Sequence, residues 1–485
     1  MKRKVRYVVT SICFLFVLLF AIQEVTNVLA RKDSVIKYHD IEEDEFDVLF
    51  FGSSHVINGI YPMELWNDYG IVSYNCAGHG NTLPTTYWMM QNILEQINVP
   101  KLVVIDIHLM YSENKIRPER PGIEQQHISF DWSGISKEKI GMVNYLLDDV
   151  QTKMEFILPI TIYHDRWKEL SKKDFEIPYG TGKGAEYRVK RTVPNDFSLI
   201  SRNEMIKDDS LGKQYLCKMI EECQSRGIEV LLVNVPYPAT EEQQKWANSV
   251  DLIAQEYGVN YLNFFYEDTG IDFFTDCYDE NSHLNPSGAR KITKYLGEYL
   301  QSEYGIPDRR GEAEYAHWNE DYKEYSEDKW EVMQNLRNDL STYLSLLHDS
   351  NLNICLFFNG DSEMIGWATP PKLVENISDL NRFQVASDEK QDYLLILDQQ
   401  NNTQIEYAGQ EAVINRHTSF ANITYTSRGE DEIRELYLDD SETNYLLNED
   451  GTMTEIAIVS FDKNTGEMVD YVRFNQNQST KVVGQ

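Results

Sequence analysis

A hydroxyl, an imidazole and a carboxylate, the three groups that together perform acyl transfer, each occur in this chain in a setting that suits the role. The hydroxyl lies in Phe46-Asp47-Val48-Leu49-Phe50-Phe51-Gly52-Ser53-Ser54-His55-Val56. A short apolar run rich in Val, Leu and Phe reads as a buried strand, its Gly-Ser-Ser-His end as a tight turn, and Gly59 to Asp68 as a following helix. Strand, turn and helix put a hydroxyl at the carboxyl edge of a sheet, beside N–H groups and a dipole that favour developing negative charge. Open α/β sheets hold their ligands at that edge. Ser54 is the candidate nucleophile; the competing role for Ser53 or Ser54 is to cap the helix.

A serine needs a base to become nucleophilic, and the base needs a carboxylate to orient it. His283 is the candidate base, in the polar loop Tyr278-Asp279-Glu280-Asn281-Ser282-His283-Leu284-Asn285-Pro286 just ahead of a helix. Glu280 precedes it by three residues and Asp279 by four, and either can reach Nδ1 from within the loop.

These residues need a scaffold, and the surrounding pattern supplies one. Strands are expected at Asp47 to Phe51, Val72 to Tyr74, Leu102 to Ile105, Val230 to Val233 and Val259 to Leu262. Helices are expected near Thr82 to Gln96, Lys213 to Ser225, Glu241 to Glu256 and Pro286 to Gln301. Strands alternating with helices of this length indicate a parallel sheet with helices on both faces. The interval from about 109 to 203, aromatic and mixed in charge, reads as an insertion at the sheet's carboxyl edge and a candidate lid or substrate wall. It contains a helix-like stretch, Lys137 to Phe156, and the composite Phe156 to Trp167, whose His164 and Arg166 suit an anionic or sugar group; a packed aromatic segment is the alternative.

The ends of the chain differ from this middle. Lys2, Arg3, Lys4 and Arg6 precede an uncharged apolar run from Tyr7 to Ile22, extendable through Ala30, which reads as a single membrane anchor with its N-terminus inside and the rest of the chain exported. Cleavage after Ala30 is the alternative, and it exports the body too. Residues 31–45 form a polar linker, 46–304 the α/β domain, and 305–350 a linker with an amphipathic helix carrying Trp330, Met333, Leu336, Leu340, Tyr343 and Leu347. Residues 351–485 turn β-rich, with strands at Ile354 to Phe358, Tyr393 to Leu397, Ile456 to Phe461 and Met468 to Phe474, and no constellation of its own around His417.

Composition narrows the partners. The chain has 485 residues and a net charge of −33, which argues against nucleic acid because phosphate binding needs clustered Lys and Arg. Its six cysteines include no CxxC pair and form no disulfide framework, so structural zinc is not expected.

Taken together, the chain resembles the SGNH (GDSL-type) hydrolase family over roughly residues 45 to 303. Gly52-Ser53-Ser54-His55 matches the family's first block, Asn75-Cys76-Ala77-Gly78-His79-Gly80 the second, and Glu280-Asn281-Ser282-His283-Leu284-Asn285 the last. The resemblance implies a flavodoxin-like three-layer fold, Ser54 as nucleophile and oxyanion donor, Gly78 as a second donor, and His283 as base with the acid three residues before it. That acid is usually Asp; here the position holds Glu280, with Asp279 adjacent. A second departure is the family's oxyanion asparagine in a Gly-x-Asn-Asp block. After the third strand this chain has Val104-Ile105-Asp106-Ile107-His108 instead, so Asn81 is the candidate replacement, while His55 and Asp106 are placed to line a pocket, with a satisfied loop carboxylate as the alternative for Asp106. The anchor, the altered middle blocks and the aromatic insertion are similar to bacterial cell-surface acyl-transfer proteins of the DltD and alginate-acetylation type. That branch implies a cell-surface glycopolymer substrate, a membrane-bound O-acyltransferase partner and no metal or diffusible cofactor. The function expected is a serine O-acyltransferase or esterase acting on acyl, chiefly acetyl, groups. The alternative is a catalytically weak or inactive SGNH scaffold or polysaccharide-binding partner.

Overall fold

The structure, a computed structural model, describes residues 2–29, 41, 45–116, 137–158, 160–175, 180–194, 197–207, 209–280, 283–337, 339–349, 351–361, 374, 377, 382–429 and 433–475. Most of the expected linker, the Ala30 cleavage position, Pro159 of the aromatic composite, and Asn281 and Ser282 of the histidine loop lie outside them. The chain divides into two compact units. One comprises Met1–Glu186, Asp196–Gly270 and Lys291–Tyr322; the other comprises Tyr187–Asn195, Ile271–Arg290 and Lys323–Gln485.

The first unit is built on a parallel sheet. β1 (Val48–Phe51) is buried along its whole length, as four consecutive apolar residues require. It pairs with β2 (Ser73–Asn75) on one side and β3 (Leu102–Asp106) on the other. β4 (Glu229–Asn234) and β5 (Asn260–Asn263) complete the order β2-β1-β3-β4-β5, every pair parallel. All five expected strands are present, to within a residue at either end.

Helices flank this sheet. α1 (Lys2–Leu29) is the N-terminal apolar helix, whose segment Val5–Thr26 is long and apolar enough to cross a membrane. The helix expected over Gly59 to Asp68 is two: α2 (Ser54–Gly59) starts five residues earlier, at the serine itself, and α3 (Pro62–Tyr69) follows. Pro62 suits a first turn, where its missing N–H costs nothing, and the Asn75 amide accounts for the break by donating to the carbonyls of Val56 at 2.9 Å and Ile60 at 3.2 Å. α4 (Leu83–Leu94) packs beside the insertion helices α5 (Lys137–Leu146) and α6 (Val150–Ile157), through Met89, Met142, Val143, Leu146 and Phe156. The expected single helix over Lys137 to Phe156 is divided because Asp149 caps α6, accepting from the Thr152 N–H at 2.8 Å. α7 (Ile160–Tyr163) leads into a 3-10 turn, His164–Lys168. α8 (Leu211–Ser225) and α9 (Glu241–Tyr257) complete the crossovers, the latter opened by a capping box of Thr240 and Gln243.

In the second unit, short α10 (Phe273–Asp276) precedes the histidine loop, and α11 (Pro286–Tyr304) begins directly after it. The amphipathic stripe expected from Trp330 to Leu347 is divided between α12 (His317–Gln334), whose first six residues belong to the first unit, and α13 (Leu340–Leu346), with Leu336 in the turn between them, because Asp339 caps the second by accepting from the Thr342 N–H at 3.1 Å. β6 (Leu352–Phe358), β7 (Asp392–Asp398) and β8 (Thr403–Gly409), with β12 (Ile456–Asp462) and β13 (Met468–Phe474), form an antiparallel sheet of order β13-β12-β6-β7-β8. β9 (Glu411–His417), β10 (Asn422–Arg428) and β11 (Ile433–Leu438) form a second, three-stranded sheet. Alternate residues of β6 and β7 divide between two cores. Cys355, Phe357, Leu394 and Ile396 meet Ile423, Tyr425 and Leu436, while Ile354, Leu356, Phe358, Tyr393 and Leu395 meet Tyr343, Leu344, Leu347 and Phe383. Cover on both faces explains the unbroken apolar runs in these strands.

Candidate active site

In the order β2-β1-β3-β4-β5 the connection reverses direction between β1 and β3, and ligands of such sheets sit outside the carboxyl ends of the strands at that reversal. Ser54 follows β1 there, and Asp106 ends β3. From Phe46 to Trp66 every residue is buried except Ser54, which is partly exposed. The chain is thus submerged on both sides of the one hydroxyl that solvent reaches.

The two serines have separate tasks. Ser53 is the N-cap of α2, in extended conformation, and its Oγ accepts from the His55 N–H at 3.3 Å. Ser54 is the first helical residue. Gly52 is required by close approach: a Cβ there would stand 2.7 Å from both Asp106 Cβ and Val56 Cγ2. β1 therefore turns into α2 pressed against the end of β3.

The loop after β2 runs along the same edge. The Cys76 N–H donates to the Phe50 carbonyl at 2.8 Å and the Gly78 N–H to the Gly52 carbonyl at 3.1 Å. The expected second oxyanion donor thus holds the serine turn from behind. Asn81 is buried, with Nδ2 against Met89 Sδ at 2.8 Å and Oδ1 without a partner among the described residues.

Asp106 is fully buried and accepts from the Val235 N–H at 3.4 Å and from the Ser53 hydroxyl. Burial pushes its carboxyl up to about 7, against the hydrogen bonds from Val235, His108 and Ser53, which pull it down. The folded state therefore holds a proton that the unfolded chain releases near pH 4, and stability falls as pH rises from about 4 to 7. Asp106→Asn is expected to flatten this slope, shrinking the stability difference between pH 5 and pH 8 by about 2 kcal/mol in denaturant titrations. An unchanged slope would remove Asp106 as its source.

His55 and His108 stack with ring centroids 3.7 Å apart, and Tyr237 meets both edge-on, at 4.9 Å and 5.2 Å. On the loop after β2, His79 Nε2 lies 2.6 Å from Glu186 Oε1. Neither grouping was expected. Both join residues far apart in sequence, His79 and Glu186 by 107 positions, so no local spacing could have announced them.

The histidine loop, in the second unit, is a closed clamp. Cys277 and Leu284 form an antiparallel bridge, and the Tyr278 N–H donates to the His283 carbonyl at 2.9 Å. Asp279 reaches across the loop: Oδ1 accepts from the His283 N–H at 3.1 Å, and Oδ2 lies 2.5 Å from the ring Nδ1. Glu280 is exposed, so of the two acids that the spacing allowed it is Asp279 that meets the imidazole. Below the loop, Asp276 accepts from the hydroxyls of Thr275 at 2.9 Å and Ser287 at 2.8 Å, and the Asn285 amide donates to the Thr275 carbonyl at 2.7 Å. The start of α11 is thereby locked to the residues before the loop.

The remaining candidates, His164 and Arg166, have other neighbours. His164 Nδ1 lies 2.9 Å from the Thr161 carbonyl, and Arg166 Nη1 donates to the Leu29 carbonyl, at the end of α1, at 2.6 Å. No group of metal ligands is found among the described residues.

Comparison with models of protein families, with curated proteins and with solved structures finds no match.

Proposed function

We propose that this chain is an SGNH-type serine O-acyltransferase or esterase, anchored by α1 and exported, that acts on acyl groups of a cell-surface glycopolymer beside a membrane-bound O-acyltransferase. The observation that carries the reading is the placement of Ser54: a partly exposed hydroxyl in an otherwise buried run, at the reversal point of a parallel sheet. The Asp279–His283 clamp supports it, since a carboxylate on Nδ1 fixes the tautomer in which Nε2 accepts a proton.

In this reading the Ser54 Oγ attacks the acyl carbonyl while its proton passes to His283 Nε2. The tetrahedral oxyanion collapses, the donor's C–O bond breaks, and the leaving alkoxide takes the proton from His283. A sugar hydroxyl, or water, then gives its proton to His283 and attacks the Ser54 ester. Release of Ser54 returns that proton to its oxygen. Transfer and hydrolysis differ only in the second nucleophile.

A fluorophosphonate probe applied to the full-length protein in membranes tests the assignment. Wild type and Ser53→Ala are expected to label, and Ser54→Ala is not. Ser53→Ala costs about 1 kcal/mol of stability through the lost cap. Labelling of Ser54→Ala would refute the nucleophile. A second reading, an SGNH scaffold without turnover, draws on the Gly78 N–H, which is engaged by the Gly52 carbonyl, and on the absent Gly-x-Asn-Asp block. Each oxyanion donor removed costs on the order of 100-fold or more in rate. Failure of wild type to label favours that scaffold.

A further inference from the structure

The end of α1 is gripped by the insertion. Leu29, its last residue, packs against Tyr163, with Ile162 and Leu170 beside them. The carbonyls of a helix's last turn have no partners within the helix, and a cation there also meets the negative end of its dipole. The Arg166 guanidinium takes this position on the Leu29 carbonyl.

That contact sets a depth. The apolar segment Val5–Thr26 has 22 residues, about 33 Å of helix, which matches a hydrocarbon core of about 30 Å. Leu29 stands three residues beyond it, about 4.5 Å further along the axis, where headgroups begin. Next to Arg166 is Trp167, 64% exposed, with the Lys168 ammonium 5.6 Å from the centre of its ring; Phe175, at the end of the same stretch, is 67% exposed. Trp with Lys and Arg is the residue set that membrane interfaces select, because each carries an apolar body and a polar end.

We propose that the segment Ile160–Phe175 is a collar seated in the interfacial layer of the bilayer that α1 crosses, with Trp167 and Phe175 inserted among the lipid headgroups. The inference rests on the reading of α1 as a membrane span. The collar turns a single-helix tether into a fixed mount: the unit carrying Ser54 is bolted at Arg166 and braced by two aromatic side chains at the surface where that helix emerges.

The test uses the full chain in phosphatidylcholine vesicles. Of the six cysteines, only Cys13 and Cys217 are not buried. In a Cys13→Ser, Cys217→Ser background, Trp167→Cys, Phe175→Cys and Leu252→Cys are each labelled with a bimane fluorophore. Leu252 is 57% exposed on α9 and serves as the reference. Lipid carrying a nitroxide near its headgroup is expected to quench the labels at 167 and 175 about fivefold more than the label at 252, and aqueous iodide about threefold less. Labels at 167 and 175 that behave as the label at 252 would overturn the collar. Cys13, labelled in a Cys217→Ser background and probed with a nitroxide deep in the acyl chain, separates the two failures. Quenching there with none at 167 and 175 discards the collar alone, whereas no quenching at Cys13 discards the span and the collar with it.

Discussion

Asp279→Asn in the full-length protein is expected to lower kcat for acyl-ester cleavage by about 10⁴-fold, while Glu280→Gln changes it less than about threefold. The reason is tautomeric. Asp279 Oδ2 accepts the Nδ1 proton of His283 and keeps Nε2 as the basic nitrogen. An asparagine amide donates to Nδ1 instead, which moves the ring proton to Nε2 and leaves that nitrogen unable to act as the base of the proposed triad. The backbone half of the clamp survives, because the amide oxygen still accepts from the His283 N–H, now made to Asp279 Oδ1. The loop should therefore hold its shape, and thermal unfolding should not move. Comparable losses in Asp279→Asn and Glu280→Gln, or a loss confined to KM, would sink the assignment.

The second large effect concerns stability. Asp349 is buried between two cations that are themselves buried, with Arg290 Nη1 at 2.8 Å and Lys329 Nζ at 2.9 Å. Burial raises its carboxyl, but the charges of Arg290 and Lys329 outweigh that and hold it below the ordinary carboxylate range. Its contribution is present above the unfolded pKa and is lost as pH falls through the folded one. Asp349→Asn leaves two buried positive charges facing a neutral amide, a change that costs about 3–5 kcal/mol and lowers the melting temperature by about 10 °C in a unit of this size. Lys329→Met removes one cation and leaves a neutral Arg290–Asp349 pair, so it is expected to cost less than half as much. Calorimetry on both variants decides: equal losses would mean that packing rather than charge governs the site. Because Arg290 lies in the first turns of α11, just after His283, the Asp349 variant should also lose activity at temperatures where it is still largely folded.

How much of this was legible beforehand follows from the range of each interaction. The parallel strands were readable because a strand buried on both faces is a run of apolar residues in any context, as Val48–Phe51 shows. Their order was not, because pairing β1 with β3 is a tertiary choice that leaves no trace within either strand. β8 to β11 were missed for the opposite reason: with one face solvated, as in β9 and β10, alternating polar residues dilute the apolar signal. At the site, an acid four residues from its histidine was within reach of spacing arguments, and the preference for Asp279 over Glu280 came from loop closure between Cys277 and Leu284. The stack of His55 on His108 and the pair of His79 with Glu186 were beyond any local reading. The charge of Arg166 is legible in the sequence, but its partner is a main-chain carbonyl, which every residue possesses and no sequence pattern marks.

The division of the chain bears on when activity can first arise. Chain connectivity passes between the two units at residues 186, 195, 270, 290 and 322, and the unit holding His283 is completed only by the strands of the C-terminal sheets. A polypeptide emerging N-terminus first presents Ser54 early, but the unit that holds the base cannot close until β12 and β13 have been delivered, since both lie in its five-stranded sheet. Partial products, whether stalled, prematurely terminated or clipped within the last hundred or so residues, would in the proposed reading carry the nucleophile without the base. In the proposed reading synthesis thus acts as its own safety catch, since acyl transfer waits for the unit that carries His283.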